Sequence, residues 1–258
     1  MITLTTDIGW EYAAQMKGVI LSINPKVRIV DISHSITPQN ILEGAFVLYT
    51  AIPRFPKAIH IAIVDPGVGT ERRGLIVVCK NSILVGPDNG LLIPCANKLG
   101  LKKVCWITNK KYCLKKISNI FHGRDIFAPV AAYLSLGIKP SEIGIQIKDY
   151  KKLDFGEPKE TREKIEGKII FIDRFGNLIT NIPSEKITKI FKYGDRIQLR
   201  INNKTLTPKF LRSYGYSKEH EILATISSSD LLEVSYNKGR ANDVLGIAIN
   251  DKITLLKK

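Results

Sequence analysis

Apolar positions repeat with two different periods along this chain, and the change divides it in two. Up to residue 65, apolar runs of strand length alternate with helix-period segments. Residues 2–5 read as a short strand. Residues 11–23 place Met16, Val19, Ile20 and Ile23 on one helical face, with Asn24-Pro25 as the stop. Residues 27–32 read as a second strand. Thr37-Pro38 then reads as N-cap and first turn of a helix carrying Ile41, Leu42, Ala45, Leu48, Tyr49 and Ile52 on one side. A third strand follows at 59–64. This β-α-β-α-β order predicts parallel strands joined by right-handed crossovers. Further strands are expected at 74–79 and 82–85, and a helix at 123–136 stopped by Gly137.

Beyond a charged, irregular stretch at 150–166 the helical period fades. Short strands are expected at 168–172, 196–201, 222–226, 231–234 and 252–256. The predicted architecture is an α/β N-terminal domain with a mainly parallel sheet over residues 1–157. A smaller C-terminal all-β, barrel-like domain is expected over 158–258. A chain of 258 residues can bury two such cores.

Composition narrows the function classes. Apolar residues make up 44% and charged residues 24%, as in ordinary folded domains. No window approaches a membrane span and no signal peptide is legible, so the cytoplasm is expected. The four cysteines, Cys79, Cys95, Cys105 and Cys113, contain no C-x-x-C pair, which argues against a zinc ribbon. The net charge of +15 has two readings. One is attraction to nucleic acid. The other is the Lys- and Ile-rich composition of a heat-adapted organism. The basic residues are scattered rather than gathered in one tract, which disfavours nucleic acid as the main partner.

Candidate chemistry gathers in three places. Val64-Asp65-Pro66-Gly67-Val68-Gly69-Thr70-Glu71-Arg72-Arg73 ends an apolar run with a carboxylate and turns through a Pro-Gly hinge. The turn is expected to bring guanidinium groups back to Asp65 and hold it ionised. Asp7, Asp31 and His34 join Asp65 at the C-terminal ends of the predicted strands, where open α/β sheets bind ligands. Phe121-His122-Gly123-Arg124-Asp125 opens a helix and offers a proton-sharing His122. Asp173-Arg174-Phe175-Gly176-Asn177 is a tight turn carrying a carboxylate, an aromatic ring and a carboxamide able to read an adenine edge. No dinucleotide or P-loop fingerprint is present, which disfavours NAD and ATP.

These blocks, taken in order, resemble the S-adenosyl-L-methionine hydroxide adenosyltransferases, the adenosine-forming relatives of fluorinase and chlorinase. The resemblance is carried by Thr5-Thr6-Asp7-Ile8-Gly9, Met16-Lys17-Gly18, Val30-Asp31-Ile32-Ser33-His34 with Thr37-Pro38, and the 64–73 hinge. It continues through Pro87-Asp88-Asn89-Gly90-Leu91, residues 121–127, 172–182 and 227–241. It implies hydrolysis of S-adenosyl-L-methionine at ribose C5′ with no metal or other cofactor. It also implies a homotrimer with the substrate between neighbouring subunits. The family's Asp-Arg-His set falls on Asp65, Arg72 and His122. Asp7 matches the ribose-holding residue, and Phe121 joins the substrate contacts. Asp173, Phe175, Asn177, Ser228 and Glu233 fall on adenosine- or methionine-side positions. An acid at Asp65 would repel a halide, which favours hydrolysis over halogenation. The chain is two residues shorter than the family between Asp7 and Met16, with Glu11 as a substitute for a missing acid. A protein that only senses S-adenosylmethionine is the alternative reading, with a basic nucleic-acid-binding protein behind it.

Overall fold

The computed structural model describes residues 1–257, which divide into two compact units, Met1–Asp154 and a second from Phe155 onward. The first unit runs β1 (Ile2–Thr6), α1 (Gly9–Ile23), β2 (Ile29–Ser33), α2 (Ile41–Ala51), β3 (Ile59–Ile63), β4 (Gly74–Cys79) and β5 (Ile83–Pro87). It continues with α3 (Ile93–Lys98), β6 (Leu101–Ile107), a π-helical turn at Gly123–Phe127, α4 (Ala128–Ser135), α5 (Pro140–Ile143) and β7 (Gly144–Ile147).

Its seven strands form one sheet in the order β2-β1-β3-β5-β4-β6-β7. The expectation of a mainly parallel sheet is corrected here, because the sheet is mixed. The pairs β1–β2, β1–β3 and β3–β5 are parallel, whereas β4–β5, β4–β6 and β6–β7 are antiparallel. The reason is connection length. Only three residues separate β4 from β5, and so short a link can join only antiparallel neighbours.

In the parallel half the chain passes from β1 to β2 on one side, then to β3 on the other. Strand order therefore reverses between β1 and β3, where open sheets leave a crevice at the strand ends. Asp7 and Asp65 follow those two strands. Beneath them the strands bury Ile2, Leu4, Ile61 and Ile63 against Met16 and Ile20 of α1 and Val130 and Ala131 of α4.

Two helix starts differ from the pattern reading. The second helix begins at Ile41, not after Thr37-Pro38. Asn40 caps it, accepting from Glu43 N at 3.1 Å, and Gln39 takes a positive φ of 67°. The helix expected at 123–136 opens as a π turn before continuing as α4.

The second unit contains β8 (Lys159–Glu160), β9 (Lys164–Ile172), β10 (Leu178–Pro183), α6 (Ser184–Thr188), β11 (Gln198–Ile201), β12 (Lys204–Leu206) and β13 (Lys209–Phe210). It ends with β14 (Ile222–Ile226), β15 (Leu231–Tyr236), α7 (Ala241–Leu245) and β16 (Lys252–Leu256). The nine strands form one sheet, antiparallel except for the β13–β14 pair. An isolated bridge from Arg196 to Lys209 draws its two ends together. The unit is not all-β, since α6 and α7 each add five residues of helix. Ile165, Leu178, Phe191, Leu199, Phe210 and Val234 lie in its buried core. Among the described residues no helix is long and apolar enough to cross a membrane.

Candidate active site

Asp65 stands two residues beyond β3, and its carboxylate is gripped from the side by Arg72. The guanidinium donates from Nε to Oδ1 at 3.1 Å and from Nη2 to Oδ2 at 2.5 Å. Their side chains are only 6% and 5% exposed, so this pair is screened far less than a surface ion pair. The same Nη2 lies 3.1 Å from His122 Nδ1. Arginine can only donate, so His122 Nδ1 accepts and its ring proton sits on Nε2. Phe127 lies under the guanidinium, 5.3 Å away.

The chain can bring these three groups together because Gly69 allows a close approach. Its φ is +77°, and a Cβ there would stand 2.1 Å from the carbonyl oxygen of Asn119. The Asp65–Arg72 hinge therefore lies directly on the segment that leads into His122. Only Arg72 returns to Asp65. Arg73, expected to share that task, turns away to Asp88 and Asp149.

The electrostatics differ from the expectation for Asp65. Burial pushes its carboxyl above the ordinary value, and the pull of Arg72 and His122 offsets this only in part. Burial also lowers His122, helped by Arg72, against smaller opposing effects from Asp65 and Asp125. A neutral imidazole beside an arginine-bound carboxylate is the resulting resting arrangement at neutral pH.

Asp7, Gln39, Asp65, Phe121 and His122 line one cavity of about 330 Å³, within the size range of small-molecule sites. Asp7 is held in place by Gln39, whose backbone N–H donates to Oδ2 at 2.8 Å. Phe121 packs edge-on against Tyr12 with centroids 5.3 Å apart. Glu11 is exposed on the first turn of α1 and does not line this cavity. Asp31 and His34 turn into a separate chain of contacts. Thr6 Oγ1 meets His34 Nδ1 at 2.8 Å, and His34 Nε2 meets Asp31 at 3.0 Å. Lys17 closes on Asp31 at 2.5 Å. Sequence reasoning missed Gln39, whose role comes from its positive φ rather than its side chain.

Within the second unit, Asp173 organises the 173–177 turn. Its Oδ1 accepts from the N–H groups of Phe175 and Asn177, both at 2.9 Å, and its Oδ2 accepts from Asn177 Nδ2 at 2.8 Å. Asn177 is buried and Phe175 is 75% exposed. Asn177 Nδ2 also reaches the Tyr214 hydroxyl at 3.5 Å. That hydroxyl donates to Glu233 at 2.6 Å, and Ser235 donates to the same oxygen at 2.7 Å. Burial and the neighbouring Glu233 push the Tyr214 hydroxyl above the ordinary tyrosine range. Tyr214 went unnoticed in the sequence; a Tyr-Gly-Tyr in a loop was its only signal. Ser228 is not brought to this cluster. It sits in the exposed β14–β15 turn, and the pairing of Pro183 with Leu231 puts that turn at the opposite end of the sheet from Asp173.

Among the described residues no three His, Cys, Asp or Glu side chains converge as metal ligands, and all four cysteines are free thiols. Burial raises the Cys79 and Cys95 thiols to about 12, so neither is a nucleophile near neutral pH.

Comparison with known proteins agrees along both units. The N-terminal domain of the SAM hydroxide adenosyltransferases matches residues 2–144 and the C-terminal domain matches residues 167–254. A Methanocaldococcus jannaschii protein named (R)-S-adenosyl-L-methionine hydrolase is 40% identical, over 99% of this chain and 95% of its own length. A Salinispora tropica protein of the same name is 32% identical, over 98% and 96%. The crystal structure of an uncharacterized conserved protein from Thermotoga maritima superposes with a TM-score of 0.93 at 34% identity, covering 99% of each chain. With two domain matches in order and relatives similar over nearly their whole length, this chain belongs to the SAM hydroxide adenosyltransferase family.

Proposed function

We propose that this chain is an enzyme that hydrolyses S-adenosyl-L-methionine to adenosine and L-methionine, with Asp65, Arg72 and His122 as its catalytic set. The observation that carries this reading is the bidentate Asp65–Arg72 pair with His122 on the same guanidinium, facing a cavity shared with Asp7.

In the reaction a water oxygen bonds to ribose C5′ as the C5′–S bond breaks. The bonding pair goes to sulfur, and the sulfonium leaves as a neutral thioether. One proton is released. Because the leaving group sheds its own positive charge, no general acid or metal is required. The protein's task is to align the water and give its proton a destination in a site closed to bulk solvent. Asp65 accepts the water's proton and Arg72 holds that carboxylate in place. His122, with Nδ1 fixed by Arg72, is left to hold the water oxygen through Nε2–H. Asp7 is assigned to the ribose hydroxyls and Phe121 to the sugar's flank. Asp173, Phe175, Asn177 and Glu233 are assigned to the adenosine pocket, with Tyr214 supporting Glu233. Ser228 is assigned only through the family resemblance.

The relatives' names specify the (R) sulfonium, and the same preference is proposed for this chain. Attack at C5′ leaves the sulfur stereocentre out of the bond being formed. Selection must then come from how the methyl and methionine arms are held. The assembly is proposed to be a homotrimer with substrate between neighbouring subunits, working in the cytoplasm of a heat-adapted organism.

The deciding experiment is incubation with each S-adenosylmethionine epimer, with and without a chelator, and chromatography of the products. Stoichiometric adenosine and methionine, faster from the (R) epimer and insensitive to chelation, are expected. A bound complex without turnover would leave only a sensor.

A further inference from the structure

The turn Pro87-Asp88-Asn89-Gly90-Leu91 takes no part in that chemistry, yet it is tied to the site from several directions. Asp88 is only 3% exposed. Its Oδ2 accepts from Arg73 Nε at 2.9 Å and Nη2 at 2.7 Å. Its Oδ1 accepts from the backbone N–H of Lys151 at 2.8 Å. Its own N–H donates to the Arg73 carbonyl at 2.9 Å, and that carbonyl also accepts from Arg72 Nη1 at 3.1 Å. Asn89 Nδ2 donates to the carbonyl of Val64, the residue before Asp65, at 2.7 Å. Arg73 reaches on to Asp149, through its carboxylate at 3.1 Å and through its backbone carbonyl. Gly90, at φ +96°, lies so close to Leu153 that a Cβ would stand 2.7 Å from the Leu153 Cβ.

We propose that Asp88 is a positioning residue for the hydrolysis. Through the Arg73 carbonyl it sets the Arg72 guanidinium against Asp65, and it ties residues 149–153 to the catalytic hinge. The proposal rests on the hydrolase reading above. A buried ion pair can also be no more than a staple of the fold. The shared carbonyl is what sets this pair apart, because a shift at Asp88 moves the acceptor that orients Arg72. Small misplacements of a catalytic group cost as much as about 10²-fold in rate. Asp65 faces Arg72 and His122, with Asp7 on the same cavity wall. A less well aligned guanidinium would let Asp65 take up its proton at higher pH.

The test is Asp88→Asn, which keeps size and the acceptor for Lys151. We expect kcat to fall roughly tenfold with KM within about threefold. The acid limb of kcat/KM should move to higher pH, a change that a staple alone would not produce. A folded variant with a lowered Tm but the parent's kcat and acid limb overturns the role. If Asp88→Asn does not fold, Arg73→Lys, which keeps the charge but loses the paired contacts, takes the same measurements; parent-like values overturn the role equally. An unmodified chain that releases no adenosine would sink the hydrolase reading and this role together, whereas an active parent with unmoved variants sinks the role alone.

Discussion

Asp65 was legible as a candidate site residue because a carboxylate, a Pro-Gly turn and an arginine follow one another closely in the chain. What its burial does to it was not legible. The groups that shape its surroundings come partly from far along the chain: His122 acts on it directly and shares its Arg72, and Asn119 packs on the hinge at Gly69. As the proposed proton acceptor, Asp65 should be costly to remove. Asp65→Ala is expected to lower kcat by about 10²–10⁴-fold while KM changes much less, measured by adenosine release. The pH profile follows from the two shifts. In the proposed reaction Asp65 works ionised, and burial raises its carboxyl, so the fall in activity on acidification should begin at higher pH than for an ordinary carboxylate. His122 works neutral and is lowered, so its protonation falls on the same acid side. A steady-state profile should therefore show an acid limb and no alkaline limb from these residues. A bell centred near neutrality would contradict the assignment.

Strands β1, β2 and β3 were readable from apolar runs. β6 was not, because the exposed Lys102 and half-buried Lys103 interrupt its apolar pattern. The mixed pairing was within reach of the sequence, since the strands expected at 74–79 and 82–85 leave a link too short for a parallel crossover. One element carries a testable burden. His60, the second residue of β3, is fully buried and contacts Thr3 Oγ1 through Nδ1 at 2.8 Å, with no hydrogen-bond partner on Nε2 among the described residues. Burial lowers its value from 6.5 to about 4. Between those values the unfolded chain binds a proton that the folded chain refuses, so stability falls as pH drops through that window. The full effect is roughly 3 kcal/mol. Thermal unfolding at pH 7 and pH 4.5 should show a smaller acid loss for His60→Leu than for the parent. Equal losses would place the acid sensitivity elsewhere.

At the scale of the whole molecule, the ordered blocks of sequence spoke for family and reaction, while the charge spoke for neither. The substrate carries a sulfonium, an ammonium and one carboxylate, and so arrives as a net cation at a protein of net charge +15. Long-range repulsion of this kind is screened by salt. Raising ionic strength from low to physiological should increase kcat/KM by about twofold or more, read from initial rates at low substrate. A steep fall would instead point to a charged partner drawn to the basic surface. Within the cavity Asp7 is the carboxylate without a cationic partner beside it among the described residues, whereas the charge of Asp65 is balanced by Arg72, so local attraction for a cationic substrate falls chiefly to Asp7.

The π turn at Gly123–Phe127 carries one residue more than an α-helical turn would need, with Ala128 N–H bonded back to Gly123 O. Each residue of an α-helix turns the chain by about 100°. Shortening the segment by one amino acid would restore an unbroken helix into α4 and swing the imidazole ahead of it away from the guanidinium. A single-residue deletion there should leave a chain that folds and keeps Asp65, Arg72 and His122 in its sequence, yet has lost their alignment and releases adenosine far more slowly than the parent.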